Sequence, residues 1–262
     1  MALTYSTYLN LDELLNLQRP QSHGRAHDEM LFIVMHQTCE LWFKEILHEV
    51  DRLGMCLELR ERAVAHSTLK RTVSILKVLV SQMDILETMT AAQFLTFRSL
   101  LGNASGFQSG QFRELEFALG KKRPEVMESF PEGSPSRVRL EKRFEGPTLW
   151  DHFLHYLSQC GYPIPSHVLT RDFRRPVAPS RQVQSVLLDV YSKDADMANL
   201  CELLTDFDEG FQEWRYRHYK MVERIIGRKQ GTGGSTGIDY LKTTLLQPAF
   251  PDLWAIRSEF GR

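Results

Sequence analysis

Apolar residues in this chain recur three and four positions apart over long stretches, which places them on one face of an α-helix. The clearest stripe contains Phe211, Trp214, His218, Met221 and Ile225. Few segments show the alternation that a half-buried strand requires. The pattern predicts an all-α fold in which several long amphipathic helices pack as a bundle.

The ends of these stripes predict where the helices begin and end. Thr90 opens a capping-box pattern, and Gly120 occupies a position typical of a helix C-terminus. Residues 121–147 are polar and rich in turn residues, so we expect a connector or a small excursion there. The predicted helices cover residues 11–17, 27–53, 68–88, 90–101, 107–119, 148–160, 180–204 and 208–226, followed by two short C-terminal pieces.

Histidines interrupt two of the inward-facing stripes. His218 shares its face with aromatic and aliphatic residues, and His36 does the same in the helix predicted for residues 27–53. A buried histidine needs partners for its ring nitrogens, and the iron of a haem suits an apolar, aromatic wall. A satisfied core histidine explains either position as well, and periodicity alone does not decide between the two.

Composition limits the class of protein. The chain has 262 residues, of which 42% are apolar, and its net charge of −1 argues against non-specific nucleic-acid binding. No stretch approaches the ~20 apolar residues of a membrane span, and the first residues do not form a targeting signal. Cys39, Cys56, Cys160 and Cys201 are scattered without CxxC pairs, so we expect reduced thiols and a cytoplasmic protein.

Two further segments concentrate residues that can bind ligands. The glycine-rich residues 231–237 follow a helix, which favours a flexible linker or a loop that closes over a ligand rather than a nucleotide site. His27, Asp28 and Glu29 suit an N-terminal helix cap or, together with His23, a non-haem metal site.

Arginines and tyrosines leave similar alternatives open. Arg98 lies among apolar residues and suits either an internal salt bridge or a clamp for a carboxylate. Arg215 and Arg217 lie off the His218 stripe, where they suit surface salt bridges or the acidic groups of a haem. Tyr5 and Tyr8 can pack on their own domain or dock on a neighbouring subunit.

Four separated segments together closely resemble the tryptophan 2,3-dioxygenase family. They occur in family order and span nearly the whole chain, and matches of this length are far more specific than a lone glycine-rich loop. The compact length resembles the bacterial members. The segments are residues 5–15 (YSTYLNLDELL), 27–49 (HDEMLFIVMHQTCELWFKEILHE), 97–120 (FRSLLGNASGFQSGQFRELEFALG) and 214–241 (WRYRHYKMVERIIGRKQGTGGSTGIDYL).

The resemblance implies an all-α haem protein of the indoleamine and tryptophan dioxygenase type. Its reaction would insert both atoms of dioxygen across the C2–C3 bond of the indole of L-tryptophan, giving N-formyl-L-kynurenine. The resemblance also implies one haem b per subunit, ferrous in the active state, and a homotetramer. We expect residues 1–262 to form a single domain whose N-terminal arm, about residues 1–20, is exchanged with a neighbouring subunit.

The same resemblance assigns roles to particular residues. His218 matches the proximal haem ligand, His36 the distal histidine over the indole, and Arg98 the residue that holds the substrate carboxylate. Thr232 matches a contact to the ammonium and carboxylate region of the substrate, in a loop expected to close on binding. Further pocket positions are matched by Phe32, Phe94, Leu101 and Ser105, and by Tyr5 and Tyr8 of the exchanged arm.

One position differs within the family. Phe94 stands where some members carry tyrosine, so a hydroxyl to the substrate carboxylate would be absent and Arg98 would carry more of the recognition.

Three other functions are alternatives to this one. They are a non-haem metal oxidoreductase using the cluster near His27, a helical haem sensor or carrier, and an indole-oxidising haem dioxygenase with broader substrates.

Overall fold

The computed structural model describes residues 2–227, 229 and 237–261. Within these ranges the chain is helical and contains no strand, which confirms the predicted all-α class. Short 3-10 turns at Arg98–Leu101, Gly106–Gln108, Pro124–Ser129 and Ile256–Ser258 extend or link the helices. In the described ranges the helices are α1 (Tyr5–Leu9), α2 (Leu11–Leu14), α3 (Asp28–Glu58), α4 (Arg62–Leu86), α5 (Ala91–Leu95), α6 (Gly110–Ala118), α7 (Pro135–Glu145), α8 (Leu149–Gln159), α9 (Ser166–Leu169), α10 (Arg181–Lys193), α11 (Ala195–Ile226), α12 (Ile238–Thr243) and α13 (Pro251–Ala255).

Three long helices form the centre of the fold. Helix α4 packs along both α3 and α11, whereas α3 and α11 make few close backbone contacts with each other. Large side chains bridge this separation, since the ring of Phe43 on α3 meets that of Trp214 on α11 edge to face at 5.3 Å. The two helices are therefore separated by an interval across which only side chains such as Phe43 and Trp214 meet, and we call it the α3–α11 interval.

Apolar burial divides into a main core and a smaller cluster near one end of the long helices. In the main core α6 and α8 pack on α3, while α10 packs on α11 and α13. The smaller cluster joins the start of α3, the end of α11 and the short helix α5. None of the described helices is both long and apolar enough to cross a membrane.

The helix predicted to end near Gly54 continues to Glu58, so this boundary was wrong. A methyl group added to Gly54 would lie 3.2 Å from the ring of His152 on α8. Glycine at this position therefore permits a close approach of two helices and does not end one.

The two helices predicted for residues 180–204 and 208–226 were also divided at the wrong place. The break lies at Asp194, whose side chain accepts a hydrogen bond from the Met197 backbone N–H at 2.9 Å and caps α11. Asp208 lies inside α11, where its carboxylate accepts hydrogen bonds from the backbone N–H groups of Ala249 and Phe250. An aspartate that the sequence suggested as a boundary instead anchors a distant loop.

The segment 121–147 contains more structure than a connector. Helix α7 begins after the capping residue Ser134, with proline in its first turn, and packs on α6. Lys122 is buried and its ammonium donates to the backbone carbonyls of Phe144 and Gly146, at 3.1 and 3.0 Å. The segment is held as part of the bundle because a buried lysine satisfies the carbonyls at the end of α7.

Two shorter predictions had mixed outcomes. Thr90 forms the predicted capping box with Gln93, but α5 ends at Leu95 and a separate 3-10 turn follows. Gly120 follows α6 with a positive φ of 88°, as predicted for a residue after a helix C-terminus.

Candidate active site

His36 lies on α3 with its ring fixed by its own helix. The imidazole Nδ1 is 2.7 Å from the backbone carbonyl oxygen of Phe32, and a carbonyl oxygen only accepts. Nδ1 therefore carries the proton in the neutral ring, which leaves Nε2 as an acceptor. Burial lowers the pKa of His36 below its usual value, although the Phe32 carbonyl and Glu40 act in the opposite direction.

His218 lies on α11 and stacks on an aromatic neighbour. Its ring is nearly parallel to that of Trp214, with an interplanar angle of 3° and centroids 5.3 Å apart. Burial lowers its pKa to about 4, with further contributions from His36, Arg113 and Arg215. Among the residues that the structure describes, neither ring nitrogen of His218 has a hydrogen-bond partner. The ring is therefore a neutral, half-buried imidazole with a free lone pair.

The two histidines lie on opposite sides of the α3–α11 interval. They are close enough that positive charge on His36 disfavours protonation of His218. Both residues are half-buried. The structure thus brings together two imidazoles that are 182 positions apart in the sequence.

Three phenylalanines form a wall beside His36. The ring centroid of Phe32 lies 4.1 Å from that of His36, 5.7 Å from that of Phe94 and 5.5 Å from that of Phe97. Phe94 and Phe97 meet edge to face at 5.3 Å and both are buried. Phe97 was not singled out from the sequence, although its position one helical turn after Phe94 was a signal for a shared face.

Arg98, Leu101 and Ser105 follow this wall in the chain. Arg98 is half-buried and opens the 3-10 turn, whereas Leu101 ends it and packs against the smaller apolar cluster. Ser105 is half-buried and caps the next turn by accepting the Phe107 backbone N–H at 3.3 Å. The wall and a cationic side chain are therefore consecutive along a short, tightly turned segment.

Two of the residues assigned from the sequence, Tyr5 and Tyr8, are not brought to this place within one chain. Tyr5 and Tyr8 lie on α1, none of whose residues is buried, and their exposed fractions are 76% and 70%. The close backbone contacts of α1 are with α2. Thr232 lies outside the described residues.

A buried charge cluster near His218 was missed from the sequence. Glu116 is completely buried and forms ion pairs with Arg113, with Arg123 at 2.8 Å and with Arg215 at 3.4 Å. Burial lowers the pKa of Arg215, which Glu116 partly offsets. The spacing of Arg113 and Glu116 on α6 was the available signal, but charged residues three apart more commonly lie on a solvated face.

The cluster near His27 is structural in the described part of the chain. His27 is the residue before α3, Asp28 and Glu29 lie in its first turn, and the Glu29 carboxylate accepts the backbone N–H groups of Gln21 and Ser22. Arg217 pairs with Asp84 at 2.6 Å. The acidic first turn and the Arg217 ion pair match the structural alternatives, but His27 makes no side-chain cap bond and Arg215 is buried instead of forming a surface salt bridge.

The donor set fits a metal that is carried in a macrocycle. Among the described residues, no three His, Cys, Asp or Glu side chains lie together as ligands for an ion. The neutral imidazole of His218, with a free lone pair and stacked on the Trp214 ring, is a donor suited to the iron of a haem. The residues present therefore fit a haem in the α3–α11 interval.

Comparisons with known proteins point to one family. A sequence model of the family described as tryptophan 2,3-dioxygenase matches residues 1–131 and 169–260. A relative of that name from Herpetosiphon aurantiacus is 56% identical over 258 residues, covering 98% of this chain and 98% of the relative. Relatives of the same name from Anaeromyxobacter sp. and Myxococcus xanthus are 52% and 43% identical, each covering 98% of this chain and, respectively, 96% and 89% of the relative.

Proposed function

The chain belongs to the tryptophan 2,3-dioxygenase family, and from that premise we propose which of its residues perform the reaction. The enzyme inserts both atoms of dioxygen across the C2–C3 bond of the indole of L-tryptophan and forms N-formyl-L-kynurenine, in a haem-dependent reaction. The observation that carries the residue assignment is the juxtaposition of His36 and His218 across the α3–α11 interval.

His218 would hold the iron of a haem b, one per subunit and ferrous in the active state. Its neutral ring has an unshared lone pair, and the parallel Trp214 ring restrains its orientation. When bound, ferrous haem supplies a centre that binds dioxygen, which otherwise reacts slowly with a closed-shell indole.

His36 orients the indole. Its Nε2 lone pair is the acceptor for the indole N–H, since Nδ1 donates to the Phe32 carbonyl. An indole N–H is a very weak acid, so His36 positions the ring and does not act as a general base. Phe32 and Phe94 enclose the apolar ring from the side, and their edge-to-face packing with Phe97 holds them in place.

The polar end of the substrate is held by charge. Arg98, at the start of a tight turn after the aromatic wall, clamps the carboxylate with two parallel hydrogen bonds. Leu101 and Ser105 complete the pocket beyond it. Thr232 contacts the ammonium and carboxylate region from its glycine-rich loop. Because Phe94 lacks a hydroxyl, recognition of the carboxylate rests mainly on Arg98.

A neighbouring subunit completes the pocket. Tyr5 and Tyr8 lie on an arm that buries no residue of its own helix, which supports docking elsewhere in a homotetramer. Residues 1–262 form one domain apart from this arm. The four cysteines are free thiols, which supports a cytoplasmic protein.

An absorption experiment tests the proposal. The protein is reduced with dithionite under air-free conditions and receives L-tryptophan and then oxygen. We expect a Soret band, followed by growing absorbance of N-formylkynurenine. A Soret band without product would favour a sensor or a different substrate, and no Soret band after haem is supplied would make His218 a core residue.

Two variants sharpen the test. His218→Ala is expected to lose haem, whereas His48→Ala, which removes an exposed histidine from α3, is expected to retain haem and activity. A His218→Ala enzyme that binds haem and turns over normally would contradict the assignment of the axial ligand.

A further inference from the structure

The buried cluster beside His218 carries more positive than negative charge. Three arginines surround the single carboxylate of Glu116, which leaves an excess of two positive charges. Lys121 and Asp208 interact at the edge of the cluster and add one charge of each sign. Desolvated charges of one sign repel each other strongly, so an excess of this kind lowers the stability of the folded protein.

Several donors near His218 have no partner. Within the described residues, Arg113 Nε, Arg215 Nη1 and Trp214 Nε1 are buried and make no hydrogen bond, and one acceptor of the cluster, Glu116 Oε1, makes none either. The exposed fractions of Arg113 and Arg215 are 4% and 6%, so bulk water does not compensate for the missing bonds. The cluster therefore holds positive charge that its own carboxylate neutralises only in part.

Aromatic rings separate this charge from His218. The guanidinium of Arg113 lies 5.1 Å from the ring of Phe112, and that ring lies 4.9 Å from Trp214. Trp214 in turn stacks on His218. Because the material between the arginines and His218 is apolar, solvent screens their field weakly.

We propose that Arg113 and Arg215 act through His218 to favour the ferrous over the ferric state of the haem iron. This inference rests on the proposed axial ligand. A one-electron donor that reduces the iron lowers the positive charge at the metal by one, so a fixed positive potential nearby stabilises the reduced form. Dioxygen binds only to the ferrous state, and the cluster thus keeps the enzyme in the form that its reaction requires.

Potentiometric titration of the haem-loaded enzyme, followed by its visible spectrum, measures the effect. Arg113→Gln and Arg215→Gln should each lower the ferrous-to-ferric ratio at a fixed potential by on the order of tenfold, which is ~59 mV for one electron. Glu116→Gln should shift the midpoint in the opposite direction, because it removes negative charge. Opposite signs within one network distinguish an electrostatic effect from loosened packing.

Arg123→Gln is the matched control. It removes the same charge from the same carboxylate, but Arg123 donates to the Tyr240 hydroxyl at 2.6 Å and lies over the Tyr240 ring, whereas Arg113 and Arg215 lie over the rings of Phe112 and Phe211. Its midpoint should move much less than that of Arg215→Gln. Arg113→Lys and Arg215→Lys keep the charge and should restore most of the wild-type potential.

The outcomes separate this inference from the proposed function. Unchanged midpoints in folded, haem-loaded Arg113→Gln and Arg215→Gln would overturn the inference and leave the dioxygenase intact. An equal midpoint shift in Arg123→Gln would overturn it too, because the shift would then come from disruption of the ion-pair network and not from the charges nearest His218. If one glutamine variant fails to retain haem, the other variant and Glu116→Gln decide. A wild-type protein without a Soret band would overturn both proposals.

Discussion

Single residues define the chemistry of the α3–α11 interval through their protonation and hydrogen bonds. The Phe32 carbonyl fixes the proton of His36 on Nδ1. Burial lowers the pKa of His218 to about 4, so its ring is neutral at neutral pH. A backbone carbonyl one turn earlier on the same helix is sufficient to set the tautomer. The two histidines therefore differ in hydrogen bonding and in pKa because their surroundings differ.

His36 predicts a particular pH dependence. Protonated His36 cannot accept the indole N–H, so kcat/KM should fall as the pH falls through its pKa, which burial places below 6.5. His36→Ala should lose this acid limb and reduce kcat/KM by roughly 10- to 100-fold, the effect of one lost hydrogen bond. Steady-state kinetics across the pH range test this, with the Soret band monitored to verify that haem stays bound. An identical acid limb in the variant would assign it to another group.

Arg98 predicts a selective loss of substrate affinity. Arg98→Ala should raise KM strongly, because one charge-assisted pair with a carboxylate contributes on the order of 2–5 kcal/mol. The KM of Arg98→Lys should lie between those of wild type and Arg98→Ala, since lysine keeps the charge but cannot form two parallel hydrogen bonds. Tryptamine lacks the carboxylate, so its KM should differ little between wild type and Arg98→Ala. An unchanged KM for L-tryptophan would remove Arg98 from the site.

At the scale of elements, helix ends and close approaches position the site. Asp194 sets where α11 begins, and the capping box at Thr90 starts the short helix α5 that carries Phe94. Glycines contribute in two separate ways. Gly54 lies within α3 and permits the close approach of α8, whereas Gly120 follows the end of α6 with a positive φ.

The glycines that follow α6 and α8 allow a matched stability test. Gly120 and Gly161 both have positive φ, but only at Gly120 would an added methyl group meet a neighbour, lying 2.6 Å from Val177 Cγ2. Gly161→Ala should lower the free energy of unfolding by ~1 kcal/mol, and Gly120→Ala by ~1–3 kcal/mol more. Denaturant titration measures both, and adding Val177→Ala to Gly120→Ala should recover the difference. Equal losses at the two glycines would show that the Val177 contact is unimportant.

On the scale of the whole molecule, α4 spaces the two helices that carry His36 and His218. Both α3 and α11 pack along α4 and make few close backbone contacts with each other, so side chains make the contacts between them. The aromatic wall joins α3 to α5, whereas the buried charge cluster joins α6 to α11. Helix α1 buries no residue within a single subunit, and both of its tyrosines are exposed.

The exchanged arm predicts complementation between defective chains. Deleting residues 2–10 should leave the helical content of the rest nearly unchanged, because α1 buries nothing, but should abolish most activity. Coexpressing the truncated chain with full-length His218→Ala should restore part of it, since the intact arm of one chain would serve the intact haem site of the other. Turnover of the purified mixed assembly measures this. Mixed assemblies as inactive as their parents would refute arm exchange.

The sequence by itself determined the helical class and the pair of histidines on inward-facing stripes, because periodicity reports which side of one helix is buried. The resemblance to a family extended this to an activity. Tertiary structure alone decided the features that depend on two helices at once. A glycine within α3 faces a ring from α8, an aspartate within α11 anchors a distant loop, and arginines from α6 and α11 meet at Glu116. Each is a contact between distant segments, and a pattern read along one helix carries no information about its neighbour.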